Sequence, residues 1–246
     1  MATPRPLRNP PITEAVLDLF VKLPPNIGLD MLRAAGEAVK GDYPLFTRHL
    51  LHEHRIRLME GKSEVSSAEP TSDGWLFRSS NGQQVFQARL DGFSFNRLKP
   101  YEGWARFRDE ARQLWNAYAA HAMPEFVTKV ALRFINQIEL TLPVQDFGQY
   151  LSSMVPTPGG FSTVCGFLTR VSVPDPGSPA TATVTQLFDP GPGESKAKMI
   201  LDIETASSPR APMSPDEAWS VLESLRDLKN RCFFGSVTDK AIEAFA

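Results

Sequence analysis

Three of the four histidines, His49, His52 and His54, lie in one short segment. If that segment is a strand, His52 and His54 project to the same side, an arrangement in which two imidazoles can bind one metal ion. The sequence offers no identifiable third ligand, and the arginines at positions 33, 48, 55 and 57 would repel a cation. A solvated polar strand is therefore the favoured interpretation, and no metal or other cofactor is predicted.

Signatures of common enzyme classes are absent from the sequence. There is no Gly-x-Ser-x-Gly nucleophile elbow, no Gly-x-x-x-x-Gly-Lys phosphate loop and no glycine fingerprint between a strand and a helix. Cys165 has no neighbouring base in the sequence that would activate its thiol. The sequence thus favours a non-enzymatic protein. A metal-dependent hydrolase or nuclease that uses His49, His52 and His54 is one alternative.

The composition is that of an ordinary folded protein. Of 246 residues, 42% are hydrophobic and 22% charged, so a hydrophobic core is expected. The formal charge of −2 gives no overall attraction to nucleic acid or anionic lipid. Cys165 and Cys232 lack CxxC spacing, no stretch reaches 18 apolar residues, and the N-terminal segment has no apolar signal region. We expect a cytoplasmic protein with reduced thiols and no membrane contact.

Hydrophobic periodicity predicts the elements of the first half. Apolar residues alternate through 14–23, which is typical of a strand, and recur at helical spacing through 101–121. Asn81-Gly82 is a strong hairpin signal. The predicted elements are a strand at Glu14–Leu23, a short helix at Leu29–Val39, strands at His52–Leu58, Trp75–Ser79 and Val85–Leu98, and a long helix at Tyr101–His121.

The same order of elements begins again after Pro124. The closing helix has a well-marked start, because Ser214, Pro215 and Glu217 form the pattern of a capping box with proline at the first helical position. The predicted elements are a strand at Thr128–Leu140, a short helix at Val144–Leu151, strands at Gly166–Val173, Ala182–Phe188 and Lys198–Glu204, and this final helix.

A shift of 115 positions superimposes the two halves. Leu17 then falls on Leu132 and Trp104 on Trp219. The match is one of pattern and element order, and it predicts an internal duplication. We therefore expect one α+β domain over 1–246, with repeats at 12–122 and 125–246. Each repeat is a β-α-β-β-β-α unit, and together they form one curved antiparallel sheet with helices on one face. This order resembles the TATA-binding-protein-like architecture.

Binding is expected at the face of the sheet without helices, or at an exposed edge of the sheet. If the first strands of the two units meet, Asp18 and Arg133 occupy equivalent positions on this face and could form a central ion pair. Acidic and basic residues are mixed on this face, which favours a protein partner or a second copy of the chain, a homodimer, over nucleic acid bound on the curved sheet. The predicted binding residues are Asp18, Gln87, Arg89, Arg133, Gln137, Asp202 and Glu204.

Three segments resemble a family of uncharacterised prokaryotic proteins described as "sporadically distributed". They are Asn-Pro-Pro-Ile-Thr-Glu-Ala-Val at 9–16, Phe-Ser-Phe-Asn-Arg-Leu-Lys-Pro-Tyr-Glu-Gly-Trp at 93–104 and Leu-Arg-Phe-Ile-Asn-Gln-Ile at 132–138. The family pattern has tyrosine and arginine where this chain has Phe134 and Gln137. The resemblance supplies no activity. It implies a mobile defence or toxin–antitoxin-like locus, which agrees with a binding or regulatory role.

Overall fold

The secondary structure is that of an α+β protein. The computed structural model describes residues 1–51, 54–59, 62–67, 71–153, 159, 164–190, 195–209 and 211–245. Within them the elements are β1 (Ile12–Lys22), α1 (Leu29–Glu37), β2 (Leu45–Leu51), β3 (His54–Met59), β4 (Lys62–Ser67), β5 (Thr71–Arg78), β6 (Gln84–Arg89), β7 (Gly92–Leu98), α2 (Trp104–Ala122), β8 (Phe126–Thr141), a 3-10 helix (Phe147–Gln149), β9 (Phe167–Pro174), β10 (Ala180–Phe188), β11 (Lys196–Ser207), α3 (Pro215–Ser236) and α4 (Asp239–Glu243).

Nine of the described strands form one antiparallel sheet in the order β2-β5-β6-β7-β1-β8-β11-β10-β9, and β3 pairs with β4 in a separate hairpin. The centre of the sheet is the pair β1 and β8, in which Leu17 lies opposite Leu132. β7 pairs with the other side of β1, and β11 with the other side of β8. The predicted large antiparallel sheet backed by helices is therefore present.

The hydrophobic core lies between one face of the sheet and the helices. Ala15, Leu17 and Leu19 of β1 are fully buried on that face, as their alternation predicted. α1 contacts β5 and β6, α2 contacts β7, and α3 contacts β8, β10 and β11. Gly36 of α1 lies so close to the Phe77 ring of β5 that a Cβ atom there would overlap it. Helix and sheet are thus in close contact.

Two local signals read from the sequence are confirmed. At the start of α3, the Ser214 hydroxyl accepts a hydrogen bond from the Glu217 backbone N–H at 3.3 Å, and the Glu217 carboxylate accepts one from the Ser214 backbone N–H at 2.7 Å. This is the predicted capping box. Between β5 and β6, Gly82 has a φ of 70°, which agrees with the Asn-Gly turn.

The strand predictions for the first half were wrong in three places. The edge strand β2 and the strand β4 were not predicted. The strand expected at His52–Leu58 corresponds to β3, which pairs with β4 and is not part of the large sheet; positions 52 and 53 lie outside the described residues.

The single strand expected over Val85–Leu98 is two strands, β6 and β7, joined by a turn at Leu90-Asp91. Hydrophobic alternation changes phase at this turn, from the buried Phe86 and Ala88 to the buried Phe93 and Phe95. This change of phase was the signal that the prediction of one continuous strand missed. A Cβ at Gly92 would lie 2.6 Å from the Leu19 carbonyl oxygen of β1.

The helix predicted at Val144–Leu151 is only the 3-10 turn Phe147–Gln149. The Asp146 carboxylate accepts a hydrogen bond from the Gly148 backbone N–H at 2.8 Å and so caps the start of this turn. Phe147 is nevertheless buried against Phe167 and Phe188. The terminal helix α4 was not predicted.

Candidate functional site

The residues predicted to line the open face of the sheet do share one side of it. Across the central strands, Gln87 lies opposite Ser94, Ser94 opposite Asp18, and Arg133 opposite Glu204. These pairs belong to two neighbouring rows of the same face, because Asp18 lies opposite Ala131 and Arg133 opposite Val16. The side chains brought to this face are Asp18, Gln87, Arg89, Arg133, Gln137, Asp202 and Glu204.

The predicted ion pair between Asp18 and Arg133 is not formed. In the register of β1 and β8, Asp18 lies opposite Ala131 and Arg133 opposite Val16, so the two side chains are offset along the strands. Arg133 instead forms a bidentate pair with Asp202, with nitrogen–oxygen distances of 2.9 and 2.7 Å. The pairing prediction was wrong because positions that match in the 115-residue shift are not cross-strand neighbours in this register.

Asp18 is held in a poorly solvated position beside Arg89, whose Nη1 lies 3.8 Å from its carboxylate. Burial raises the pKa of Asp18, and the Ser94 hydroxyl and Arg89 only partly offset this effect. Because the folded-state pKa lies above the unfolded value, the ionised carboxylate lowers stability at neutral pH. That loss disappears as the pH falls through the folded-state pKa.

Asp18→Asn is therefore expected to raise the free energy of unfolding at pH 7. The difference from the wild type should shrink as the pH is lowered toward 4, because the wild-type carboxyl then becomes neutral. Urea denaturation of both proteins at several pH values measures it. A stability difference that stays constant from pH 7 to pH 4 would contradict the raised pKa of Asp18.

Only part of the histidine segment can be described. His49 Nδ1 lies 2.6 Å from Asp73 Oδ1, so this imidazole has a carboxylate partner across β2 and β5. The side chains of His52 and His54 lie outside the described residues. Among the described residues, no group of three or more His, Cys, Asp or Glu side chains is placed to hold a metal ion.

The edge strand β9 exposes apolar side chains. Leu168, Val171 and Val173 are 68%, 56% and 42% exposed. Edge strands of this kind can pair with another chain. The contact with a protein partner or a second copy, expected at the sheet face or edge, stays a prediction.

A cavity of about 570 Å³ lies at one end of the central strands, and we call it the arm pocket. One wall is the N-terminal arm (4–8) with residues 10–12 at the start of β1. The second wall is the segment 101–104 leading into α2, and the third is the last turns of α3 (226–234). Asn136 of β8 also lines the pocket. The pocket thus joins four distant parts of the chain.

Cationic side chains predominate around the arm pocket. Among the described residues, Arg5, Arg8, Arg226 and Lys229 line it, against one carboxylate, Glu102. Arg5 contacts the exposed Asp239 at 3.4 Å. Glu102 pairs with Arg97 at 3.5 Å and with Arg106. The negative charge of Glu102 is therefore neutralised by two arginines that do not line the pocket. The net charge of the pocket lining is positive.

The cations on α3 lie against aromatic rings. The Arg226 guanidinium lies 5.7 Å from the Trp104 ring centre, and Lys229 Nζ lies 4.3 Å from that of Phe134. Burial, with a smaller contribution from Arg226, lowers the pKa of Lys229 to about 8. Lys229 has no carboxylate within 4 Å among the residues the structure describes.

Two neutral polar groups complete the pocket. Asn136 is buried, and its Nδ2 donates to the carbonyls of Phe134 at 3.2 Å and Leu201 at 2.9 Å, which leaves Oδ1 as an acceptor. Burial raises the pKa of Tyr101 above its usual range, so its phenol stays protonated. The pocket can therefore offer a hydrogen-bond acceptor and a neutral donor beside its cations.

Arg97 of β7 fixes the wall that leads into α2. This side chain is 8% exposed, and its Nε donates to the Pro100 carbonyl at 3.4 Å. Its other nitrogens contact Glu102 at 3.5 Å and Glu110 at 3.2 Å. One buried guanidinium thus ties the wall segment to both β7 and α2.

The three segments that carry the family resemblance meet at the arm pocket. Pro10, Pro11 and Ile12 come from the first, Tyr101–Trp104 from the second and Asn136 from the third. No pocket was predicted from these segments. Arg226 and Lys229 were also missed, although positions 226, 229, 230 and 233 follow the spacing of one helix face.

Comparisons with known proteins give no family. No family model and no curated protein matches the chain. Among solved structures, the crystal structure of the di-domain ARO/CYC StfQ from the steffimycin biosynthetic pathway is 13% identical, covers 95% of this chain and 97% of its own, and has a TM-score of 0.20. A similarity at that level carries no argument. In the described part of the chain, no helix has the length and apolarity needed to cross a membrane.

Proposed function

We propose that this protein is a non-enzymatic binding module whose arm pocket takes a small organic anion. The observation that carries the proposal is the set of cations that line one cavity together with aromatic rings and without a matching set of acids. A cavity of about 570 Å³ has the size of a small-molecule site. An aromatic or apolar body would contact the rings, while a carboxylate or phosphate would meet the cations.

The ion pairs within the protein indicate that the ligand carries a negative charge. Glu102 is compensated by Arg97 and Arg106, so it does not neutralise the cations on α3. Arg226 has only a 3.8 Å contact with Glu223, which lies on its own helix. An anion in the pocket would therefore meet Arg226 and Lys229 together, in surroundings with less water than the surface.

Arg226→Ala is expected to weaken binding of 4-methylbenzoate or phenyl phosphate by roughly 10-fold, because a charge-assisted hydrogen bond is lost. The affinity for each probe is measured by following the tryptophan indole N–H signals in ¹H–¹⁵N spectra during a titration. The chain has four tryptophans, and only Trp104 lines the pocket, so its signal should move on titration while the other three stay in place. The two probes separate carboxylate from phosphate ligands.

Arg112→Ala is the matched control. Arg112 also lies over a tryptophan ring, Trp219 at 4.9 Å, and pairs with Asp216 at 2.8 Å, but it does not line the pocket. Its replacement should leave the titration unchanged. Equal losses in both variants, or an unmoved Trp104 signal at millimolar probe and low salt, would refute the proposal.

We also propose that the two halves are copies of one unit. Positions separated by 115 residues meet across the centre of the molecule: Leu17 lies opposite Leu132, and Arg108 contacts Glu223 at 2.9 Å. Contacts between equivalent positions are what an internal two-fold axis produces. The similar strand order on the two sides of β1 and β8 also supports the duplication. The proposed architecture of the duplicated protein is TATA-binding-protein-like.

The duplication would account for one unusual atom. Trp219 Nε1 is buried without a hydrogen-bond partner among the described residues, whereas Trp104 Nε1 donates to Glu223 at 2.9 Å. In the 115-residue correspondence the counterpart of Glu223 is Arg108, which cannot accept a hydrogen bond. Membership of the "sporadically distributed" family remains a proposal, supported by the meeting of its three segments at one pocket.

A further inference from the structure

Lys229 is the one pocket cation whose amine nitrogen can act as a nucleophile near neutral pH. It lines the cavity on α3, one turn after Arg226, and its Nζ is held over the Phe134 ring at 4.3 Å. The ring face favours the charged amine, whereas burial and the neighbouring guanidinium favour the neutral one. Arg5, Arg8 and Glu102 face the same cavity from the arm and from the segment before α2.

The neutral form of Lys229 is well populated. With its pKa lowered to about 8, roughly a quarter of the Lys229 amines are neutral at pH 7.5, against about 0.1% for a free lysine. A lysine that is desolvated or placed beside another cation is the type that attacks carbonyl carbons. No carboxylate of the described residues lies within 4 Å to hold Lys229 as an ammonium.

We infer that the ligand of the arm pocket carries an aldehyde or ketone as well as an anionic group, and that Lys229 binds it covalently and reversibly as an imine. This inference rests on the proposed function, because the anionic group must first be bound by Arg226 and the arm. The ligand class is thus an oxo acid or a phosphorylated carbonyl compound.

The step balances without any oxidant or reductant. The Nζ lone pair forms a bond to the carbonyl carbon, and the π electrons of the C=O bond move to oxygen, giving a carbinolamine. The nitrogen loses its two protons to the departing oxygen, the C–O bond breaks, and water leaves as the C=N bond forms. Water entering the pocket reverses the step and releases the ligand unchanged.

The test uses the full chain and 4-formylbenzoate, an anionic aromatic aldehyde. Sodium cyanoborohydride reduces any imine to a stable secondary amine, and peptide mass spectrometry locates it. Lys229 should be labelled roughly 10-fold faster than any other lysine, because of its larger neutral fraction. Lys229→Ala and Lys229→Arg should abolish that adduct.

Lys129→Arg is the matched control, since Lys129 Nζ also lies over an aromatic ring, Phe20 at 5.0 Å, but outside the pocket. It should leave the labelling of Lys229 unchanged. A parallel titration with 4-methylbenzoate, which lacks the carbonyl, separates the two proposals. If 4-methylbenzoate moves the Trp104 signal but Lys229 labels no faster than Lys129, the imine is refuted and the binding pocket stands. If neither occurs, both are wrong.

Discussion

Leu132→Ala should lower the free energy of unfolding by about 2–5 kcal/mol, the range for removing a fully buried leucine side chain. Leu132 has no exposed surface and lies at the centre of the sheet, opposite the equally buried Leu17. The substitution removes three heavy atoms from a position where the neighbouring strands on both sides limit relaxation. Urea denaturation with an unchanged m-value measures the loss.

Leu168→Ala is the control for this prediction, because the chemical change is identical. Leu168 lies on the edge strand β9 and is 68% exposed, so its replacement should alter stability by less than about 0.5 kcal/mol. Similar losses in the two variants would mean that the centre of the core is not at the pairing of β1 and β8.

Arg97→Ala is expected to cost about 3 kcal/mol of stability, because it removes one member of a buried ion-pair group. Arg97 is 8% exposed, and Glu110, its nearest carboxylate, is 21% exposed. The substitution also removes the hydrogen bond to the Pro100 carbonyl that holds the pocket wall. We therefore expect weaker 4-methylbenzoate binding in the variant even under conditions where it is fully folded.

Arg106→Ala provides the comparison, because Arg106 contacts the same two carboxylates, Glu102 and Glu110, from the surface. It is 60% exposed, so water and salt screen its ion pairs and its loss should lower stability far less than the loss of Arg97. Urea denaturation should show a larger loss of stability for Arg97→Ala than for Arg106→Ala. The Trp104 titration should likewise show a larger loss of 4-methylbenzoate affinity for Arg97→Ala. If Arg106→Ala is as damaging as Arg97→Ala, burial is not what gives Arg97 its effect.

Elements with strong local signals were predictable from the sequence. The capping box at Ser214 and the turn at Asn81-Gly82 involve bonds between residues at most a few positions apart, so the sequence carries them directly. The alternation in β1 was equally clear, because one face of that strand is buried along its whole length. At Leu90-Asp91 the alternation changes phase, from Phe86 and Ala88 to Phe93 and Phe95, and the strand prediction missed that change.

The candidate site was not predictable in the same way. The rows of polar side chains on the open face followed from strand parity. The partners within them depended on register, which gave Arg133 the carboxylate of Asp202 in place of Asp18. The arm pocket gave no sequence signal as a pocket, because its walls come from positions 4–12, 101–104, 136 and 226–234.

The sequence by itself determined the α+β class, the order of most elements and which face of β1 is buried, since these depend on short-range periodicity and capping. Only the tertiary structure decided which charges pair and where a cavity forms. Pairing β1 with β8 and packing α3 against β8 bring Arg226, Lys229 and Asn136 together with the arm. Distances between residues more than 100 positions apart are set by that packing, and no local pattern encodes them.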